Sequence, residues 1–293
     1  MNVMHSKNHE NIYWGKYWLS NKLLSKLVSI YEPLEFGGHN PSSPYFWGDI
    51  CKEKTRYVRN FDSMLTNTLR FDPSTPYHDP RKPYVNFWYS SAFGAGTTML
   101  KLLGETEIDS LAEEDGASII HCYLRHFAKP EAEGEFSVHP LFRKAIDYLA
   151  SRDDGWYVPG SELLDRIRAV RDLTISISGD TLIITNNSDV NIYNLSGTPS
   201  EEVTISDLRG NALNHWKNKY GQIDMGYLPA GESLSLKFKG NLKKVILPAK
   251  KKPSYTGMLY GYANRLIWQY RNGRLGKYFE GDPPYVAVLK RPE

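Results

Sequence analysis

Apolar residues recur along this chain at two different periods, and the change falls near residue 171. Before it, helical stripes alternate with short apolar runs. "KYWLSNKLLSKLVSIY" (16–31) places Leu19, Leu23, Leu24, Leu27 and Val28 on one side of a helix, which Pro33 stops. "ASIIHCYL" (117–124) follows the turn signal Asp115-Gly116 and reads as a buried strand. "SVHPLFRKAIDYLASRDDG" (137–155) opens on Ser137, sets Leu141, Phe142, Ile146 and Leu149 on one face, and closes at Gly155. "GWYVPG" then reads as a short strand and "SELLDRIRAVRD" as a helix. Strands alternating with helices predict a parallel α/β architecture for residues 1–170.

From residue 171 the period drops to two. "LTISISGDTLIITNNSDVNIYNLSG" alternates apolar and polar positions, with turns at Gly179-Asp180 and Asn186-Asn187. "EEVTISDLRGNAL", "QIDMGYLPAGESLSLKF" and "LKKVILPA" continue the pattern to residue 249, predicting a small antiparallel β-sandwich over 171–249. Residues 250–293, with "GMLYGYANRLIWQYRNGRLGKYF", read as an aromatic-rich helix or a tail that docks on the first domain.

Composition narrows the classes. Hydrophobic content of 41% and charge of 24% are those of a globular chain, and 293 residues suffice for two cores. A net charge of +3 is too small to point to nucleic acid, and Lys250-Lys251-Lys252 reads as a solvated linker. No apolar stretch approaches the ~20 residues that span a bilayer. The opening "MNVMHSKNHE" lacks an apolar core of the kind signal peptides carry, so a cytoplasmic location is expected. Cys51 and Cys122 are expected to be buried thiols. Twenty tyrosines and seven tryptophans suit either carbohydrate stacking or core filling.

The candidate chemistry begins with His5 and His9, whose spacing sets both imidazoles on one side of a helical turn, as zinc and related metals require. "HSKNH" follows the strand-like "NVM" and has the form H-S-x-x-H. It looks like the metal-binding motif of the polysaccharide deacetylases, carbohydrate esterase family four. "ASIIHCYLRHFA" (117–128) resembles the late strand of that family, an apolar run ending in the histidine that assists catalysis. "HPLFRKAIDYLASRDDGWYVPGSELLDRI" (139–167) resembles the helix, strand and helix that follow there. The resemblance covers residues 1 to 168 and implies a deacetylase-type (β/α) barrel. It also implies a divalent metal, Zn2+, held by His5 and His9, with His126 protonating the leaving amine. His121 on the same strand reads as an interior or second-face residue.

Two loop-like stretches, "GGHNPSSPYFWGD" (37–49) and "TPYHDPRKPYVNFWYSS" (75–91), would line such a site; Trp47, Tyr77, Asp79 and Trp88 are the candidates for binding sugar. His39 and His78 read as surface loop residues.

One departure changes the expectation. The family draws its catalytic base and a second, metal-binding carboxylate from an acidic pair on the first barrel strand. No Thr-Phe-Asp-Asp-like segment occurs here; Glu113-Glu114 and Asp153-Asp154 fall elsewhere, and Arg56 and Arg59 are poor stand-ins for the family's substrate-loop arginine. The expected architecture is therefore an incomplete barrel, N-terminally truncated, followed by a sandwich. It would be a fragment, a divergent member, or half of a split enzyme whose missing segment comes from a separate chain. The expected function is metal-dependent removal of N- or O-acetyl groups from a bacterial glycan, impaired by the lack of that pair. The alternatives are a non-catalytic carbohydrate-binding or assembly protein, and a hydrolase of another ester using Asp79 as its acid.

Overall fold

A computed structural model describes residues 8–17, 26, 35–93, 97–123, 127–130, 135–199, 203–215, 221–240, 242 and 245. The fold is mixed α/β and falls into two compact units, with the junction between Tyr157 and Val158.

In the first unit, α1 (Gly48–Lys54) leads into β1 (Tyr57–Ser63), and α2 (Thr68–Phe71) follows it. Asn67 starts α2 by accepting hydrogen bonds from the Leu69 and Arg70 amides at 3.1 and 3.2 Å. Next come β2 (Phe87–Phe93), α3 (Thr97–Leu102), α4 (Glu105–Glu113) and the two-residue β3 (Ile120–His121). The three strands run parallel in the order β1-β2-β3. β1 and β2 are buried almost throughout, as parallel strands covered on both faces are. One side packs into a core that includes Ile12, Trp14, Phe36, Cys51, Val58 and Trp88. A second cluster gathers Met99, Leu103, Phe127 and Ala145. The hairpin β4 (Ala128–Pro130) and β5 (Phe136–Val138) precedes α5 (Pro140–Ala150).

Several expectations shift. Among the described residues, the strand expected over 117–124 is limited to Ile120–His121, half-buried, which pairs with Ala92 and Phe93 of β2. The helix expected from Ser137 starts at Pro140. Residues 136–138 pair with β4 instead, and His139 caps the helix by accepting the Leu141 amide at 3.2 Å. "GWYVP" forms no strand among the described residues: Trp156 and Tyr157 are exposed, and the Tyr157 hydroxyl donates to the Leu149 carbonyl at 2.8 Å. The stretch 75–91 is a loop only as far as Asn86, where β2 begins. The stripe over 16–31 and the segment 250–293 lie almost wholly outside the described residues.

The second unit opens with α6 (Gly160–Arg171), followed by β6 (Leu173–Ser178) and β7 (Thr181–Asn186). These strands form a hairpin whose two-residue turn needs Gly179 at φ +59°. β8 (Ile192–Gly197), β9 (Val203–Ser206), β10 (Ile223–Leu228) and β11 (Ser233–Gly240) complete the unit. They make a four-stranded sheet, β6-β7-β11-β9, and a two-stranded sheet, β10-β8, both antiparallel. Leu182, Ile184 and Leu236 share one core with Ile192, Leu195 and Leu228. Asn186 is buried there with its amide fully used. Nδ2 donates to the Val190 and Pro229 carbonyls at 2.8 and 3.0 Å, and Oδ1 accepts from the amide and hydroxyl of Ser188 at 3.1 and 2.7 Å.

Candidate functional site

In a parallel sheet, chemistry gathers at the carboxyl ends of the strands, where the polypeptide turns away and leaves side chains unpaired. Here those ends are polar. Arg59 pairs in register with Tyr89, and Asp62 with Ser91, so β1 advances three residues while β2 advances two. That bulge brings Asp62 to the same face as Arg59, which strict alternation would forbid. Arg59, 4% exposed, lies 3.3 Å from Asp62 Oδ1 and donates through NH1 to Nδ1 of His121 on β3. Ser91 Oγ donates to Asp62 at 3.3 Å. Burial pushes the Tyr89 phenol up to about 12, with Arg59 opposing and Asp62 adding to the rise, so Tyr89 is a neutral hydroxyl at physiological pH. The result is a cluster, Arg59–Asp62–His121, that joins β1 to β3, with Ser91 of β2 bonded to it.

The four predicted sugar-binding residues belong to a different constellation, built around the opposite face. Trp88, two positions from Ser90 and one from Tyr89, pairs with Val58 and is 0% exposed. The Lys82 ammonium lies 4.9 Å from the centre of its ring, and Tyr13 meets it edge-on at 6.2 Å. Tyr77 bridges Trp88 through the backbone, and its hydroxyl accepts from Asn60 Nδ2 at 2.7 Å. Asp79 is clamped by Arg81, whose Nε and NH2 donate at 2.8 and 3.1 Å. Burial alone would raise the Asp79 carboxyl, but the Arg81 hydrogen bonds and the Lys82 charge outweigh it and hold the group below its ordinary range. Trp47 stands at the start of α1, half-buried, and donates its indole N–H to the Glu10 carbonyl. Trp47, Tyr77 and Trp88 do share one cluster, so the sequence groups them correctly; each is also tied to a protein partner there.

Lys82 is 6% exposed, and burial pushes its ammonium down to about 8, with Asp79 opposing and Arg81 adding to the fall. His39 is half-buried rather than on the surface: its ring lies 4.3 Å from both Tyr13 and Tyr17, and Nδ1 accepts the Tyr13 amide at 3.2 Å. Burial, then the Lys82 charge, pushes it down to about 4. His78 is exposed, and its Nδ1–H donates to the Asn86 carbonyl at 2.8 Å. Cys51 is fully buried, its thiol pushed up to about 11 by desolvation, and Cys122 is half-buried.

Of the predicted metal ligands and catalytic histidine, His5 and His126 lie outside the described residues. His9 is exposed and stacks on Tyr45, with ring centroids 5.5 Å apart and planes 20° from parallel. A carbonyl accepts only, so the 2.9 Å contact with the Glu35 carbonyl requires His9 to donate from Nδ1, and a neutral ring then keeps its lone pair on Nε2. Metal-bound histidines are commonly oriented through such a bond, and in this respect His9 fits an imidazole–metal site. Among the described residues, no group of three or more His, Cys, Asp or Glu side chains is placed to hold a metal ion.

No protein-family model matches the chain, and no curated protein or solved structure was found to match it. Among the described residues, no helix is long and apolar enough to cross a membrane.

The cluster that sequence reasoning missed is Arg59–Asp62–His121. Its trace in the sequence is "YVRNFDS", where Arg59, Asn60 and Asp62 interrupt an otherwise apolar strand. Polar groups placed inside a buried strand must be paired. The bulge that unites Arg59 with Asp62, however, has no glycine or proline to announce it.

Proposed function

We propose that this chain is a metal-dependent hydrolase of the polysaccharide deacetylase type, acting on N- or O-acetyl groups of a glycan. In this reading the parallel strands β1-β2-β3 form part of a (β/α) barrel, and the two sheets of the second unit pack as an accessory sandwich. The observation that supports it most is the His9 hydrogen bond to Glu35, which prepares Nε2 as a ligand atom in the motif "HSKNH". His5 and His9 would hold Zn2+. A bound zinc ion supplies a water of lowered pKa and polarises the acetyl carbonyl. His126 would return a proton to the departing amine, and the strand ends bearing Asp62, Ser91 and His121 would position the acetyl group. Asp79 makes a poor replacement for the missing base, because Arg81 holds both of its oxygens. With no Thr-Phe-Asp-Asp-like acidic pair in this sequence, the expected rate of acetyl release is low.

The test is acetyl release from chitooligosaccharide and acetylated xylan, with and without added zinc. Release that depends on zinc and falls in His9→Ala supports the proposal. Release indifferent to zinc and to both His5→Ala and His9→Ala rejects it.

A second reading, a non-catalytic carbohydrate-binding protein, is favoured by one observation. Tyr193 and Tyr227, on the paired strands β8 and β10, are 65% and 49% exposed, with stacked rings 4.9 Å apart. Exposed aromatic faces bind sugar rings by stacking. It predicts glycan binding that survives chelation of metal and is lost in Tyr193→Ala/Tyr227→Ala.

A further inference from the structure

Residues 8–17 are tied to residues 35–47 through both backbone and side chains. The Gly37 amide donates to the His9 carbonyl at 2.7 Å, the Trp47 indole donates to the Glu10 carbonyl, and Lys16 pairs with Glu35. Gly38 passes so close that a Cβ there would collide with the Glu10 carbonyl oxygen. The segment is also strained. Tyr13 sits at φ +49°, in the left-handed region that bulky residues avoid, and such a residue keeps its place only where its surroundings fix it. Tyr13 is fixed by burial and by His39, whose Nδ1 accepts the Tyr13 amide at 3.2 Å while the ring packs 4.3 Å from both Tyr13 and Tyr17. A backbone N–H only donates, so Nδ1 offers its lone pair and the neutral His39 ring carries its proton on Nε2. The nitrogen left to take up a second proton is the one that the Tyr13 amide occupies. Charging the ring and losing the bond are therefore one event. The groups that face the ring are the phenols of Tyr13 and Tyr17 and the charges of Lys82, Lys16 and Glu35. Both lysines oppose a charge on His39, and Glu35, which favours it, is already paired with Lys16.

We propose that His39 is an acid-operated latch: neutral, it accepts the Tyr13 amide and holds residues 8–17 closed against residues 35–47; protonated, it lets go of a strained residue and the segment opens. Burial, then the Lys82 charge, pushes the closed ring down to about 4, against an ordinary 6.5 once released. Opening should therefore rise about 20-fold from pH 7 to pH 5. The segment carries His9, so in the deacetylase reading the latch would govern one metal ligand. The latch itself rests on the contact between Tyr13 and His39 and needs no metal.

Amide hydrogen exchange of the full chain without added metal, read as the protection of single amides against their intrinsic rates, tests the latch. The reference is Trp88, fully buried, whose amide donates to the Tyr77 carbonyl at 2.7 Å. At pH 7 the Tyr13 amide should exchange faster than that of Trp88, through an opening of its own, and its protection should fall about 20-fold by pH 5. Equal protection of Tyr13 and Trp88 at both pH values would mean that only global unfolding frees the segment, and overturns the proposal. Protection of Tyr13 that does not change between pH 7 and 5 overturns it too. His39→Asn keeps an acceptor but cannot take up the proton, and should leave Tyr13 protected at both pH values; an acid loss that persists there assigns the effect to another group and rejects the latch. His39→Leu removes the acceptor and should give low protection that no longer depends on pH. Where a variant fails to fold, the wild-type comparison of Tyr13 with Trp88 decides alone. Zinc-dependent acetate release with no acid opening would reject the latch and keep the deacetylase reading, and acid opening without acetate release would do the reverse.

Discussion

The surroundings of Lys82 and His39 change their chemistry: Lys82 lies over Trp88, and His39 packs on Tyr13, which meets Trp88 edge-on. A folded-state lysine near 8 binds fewer protons than the unfolded chain between about pH 8 and 10.5, so folding stability should rise with pH through that window. The slope is at most about 1.4 kcal/mol per pH unit. Above pH 10 the buried Tyr13 and Tyr89 act in the opposite sense: both are pushed up to about 12 by burial, the unfolded chain loses those protons first, and stability should fall as pH rises from 10 to 12. Urea midpoints should therefore climb from pH 8 to 9.5 in the wild type and stay flat in Lys82→Met. For His39 the folded value near 4 lies below the ordinary 6.5, so protonation favours the unfolded chain and stability should fall as pH drops from 6.5 to 4. His39→Asn should flatten that acid limb. At this scale the sequence was informative about which residues cluster and silent about how they are used. Trp47, Tyr77 and Trp88 do meet, but whether an aromatic ring faces solvent or a buried lysine depends on strand register, which local sequence does not encode.

Among the elements, the period-two pattern after residue 171 was legible because one face of each strand is buried: β7 alternates half-buried and buried positions along its whole length. Its turn residues carry their own chemistry. Gly179, at φ +59°, has open space where a methyl group would stand, so Gly179→Ala should cost about 1 kcal/mol through backbone strain alone. Asn186→Ala should cost more, roughly 2–4 kcal/mol, because it removes in one step the buried hydrogen bonds of Nδ2 to the Val190 and Pro229 carbonyls and of Oδ1 to Ser188. Chemical denaturation of the two variants checks the order. The elements of the first unit were harder to read. "SVHP" offered Ser137 as a cap, but Pro140 fixes the helix start and His139 provides the cap. "ASIIHCYL" is apolar enough for a long strand and yet, among its described residues, forms two residues of ladder, because a strand extends only where a partner strand pairs with it, a non-local contact that the segment does not encode.

On the scale of the whole chain, the change of period at residue 171 lies one helix beyond the junction at Tyr157 and Val158, α6 being grouped with the strands that follow it. Ala169 of α6 is buried among Leu173, Leu182 and Ile192, which explains that grouping. Residues 158–250, expressed alone, should accordingly unfold in one cooperative transition, and a gradual, non-cooperative melt would show that their core is insufficient. The functional account rests on the first unit, and on His9 above all. Zinc titration of the purified full chain, followed calorimetrically, tests it most directly. One zinc per chain, with affinity reduced at least about tenfold in His9→Ala, is the predicted result. Zinc uptake no greater than background, or unchanged in both His5→Ala and His9→Ala, would contradict it.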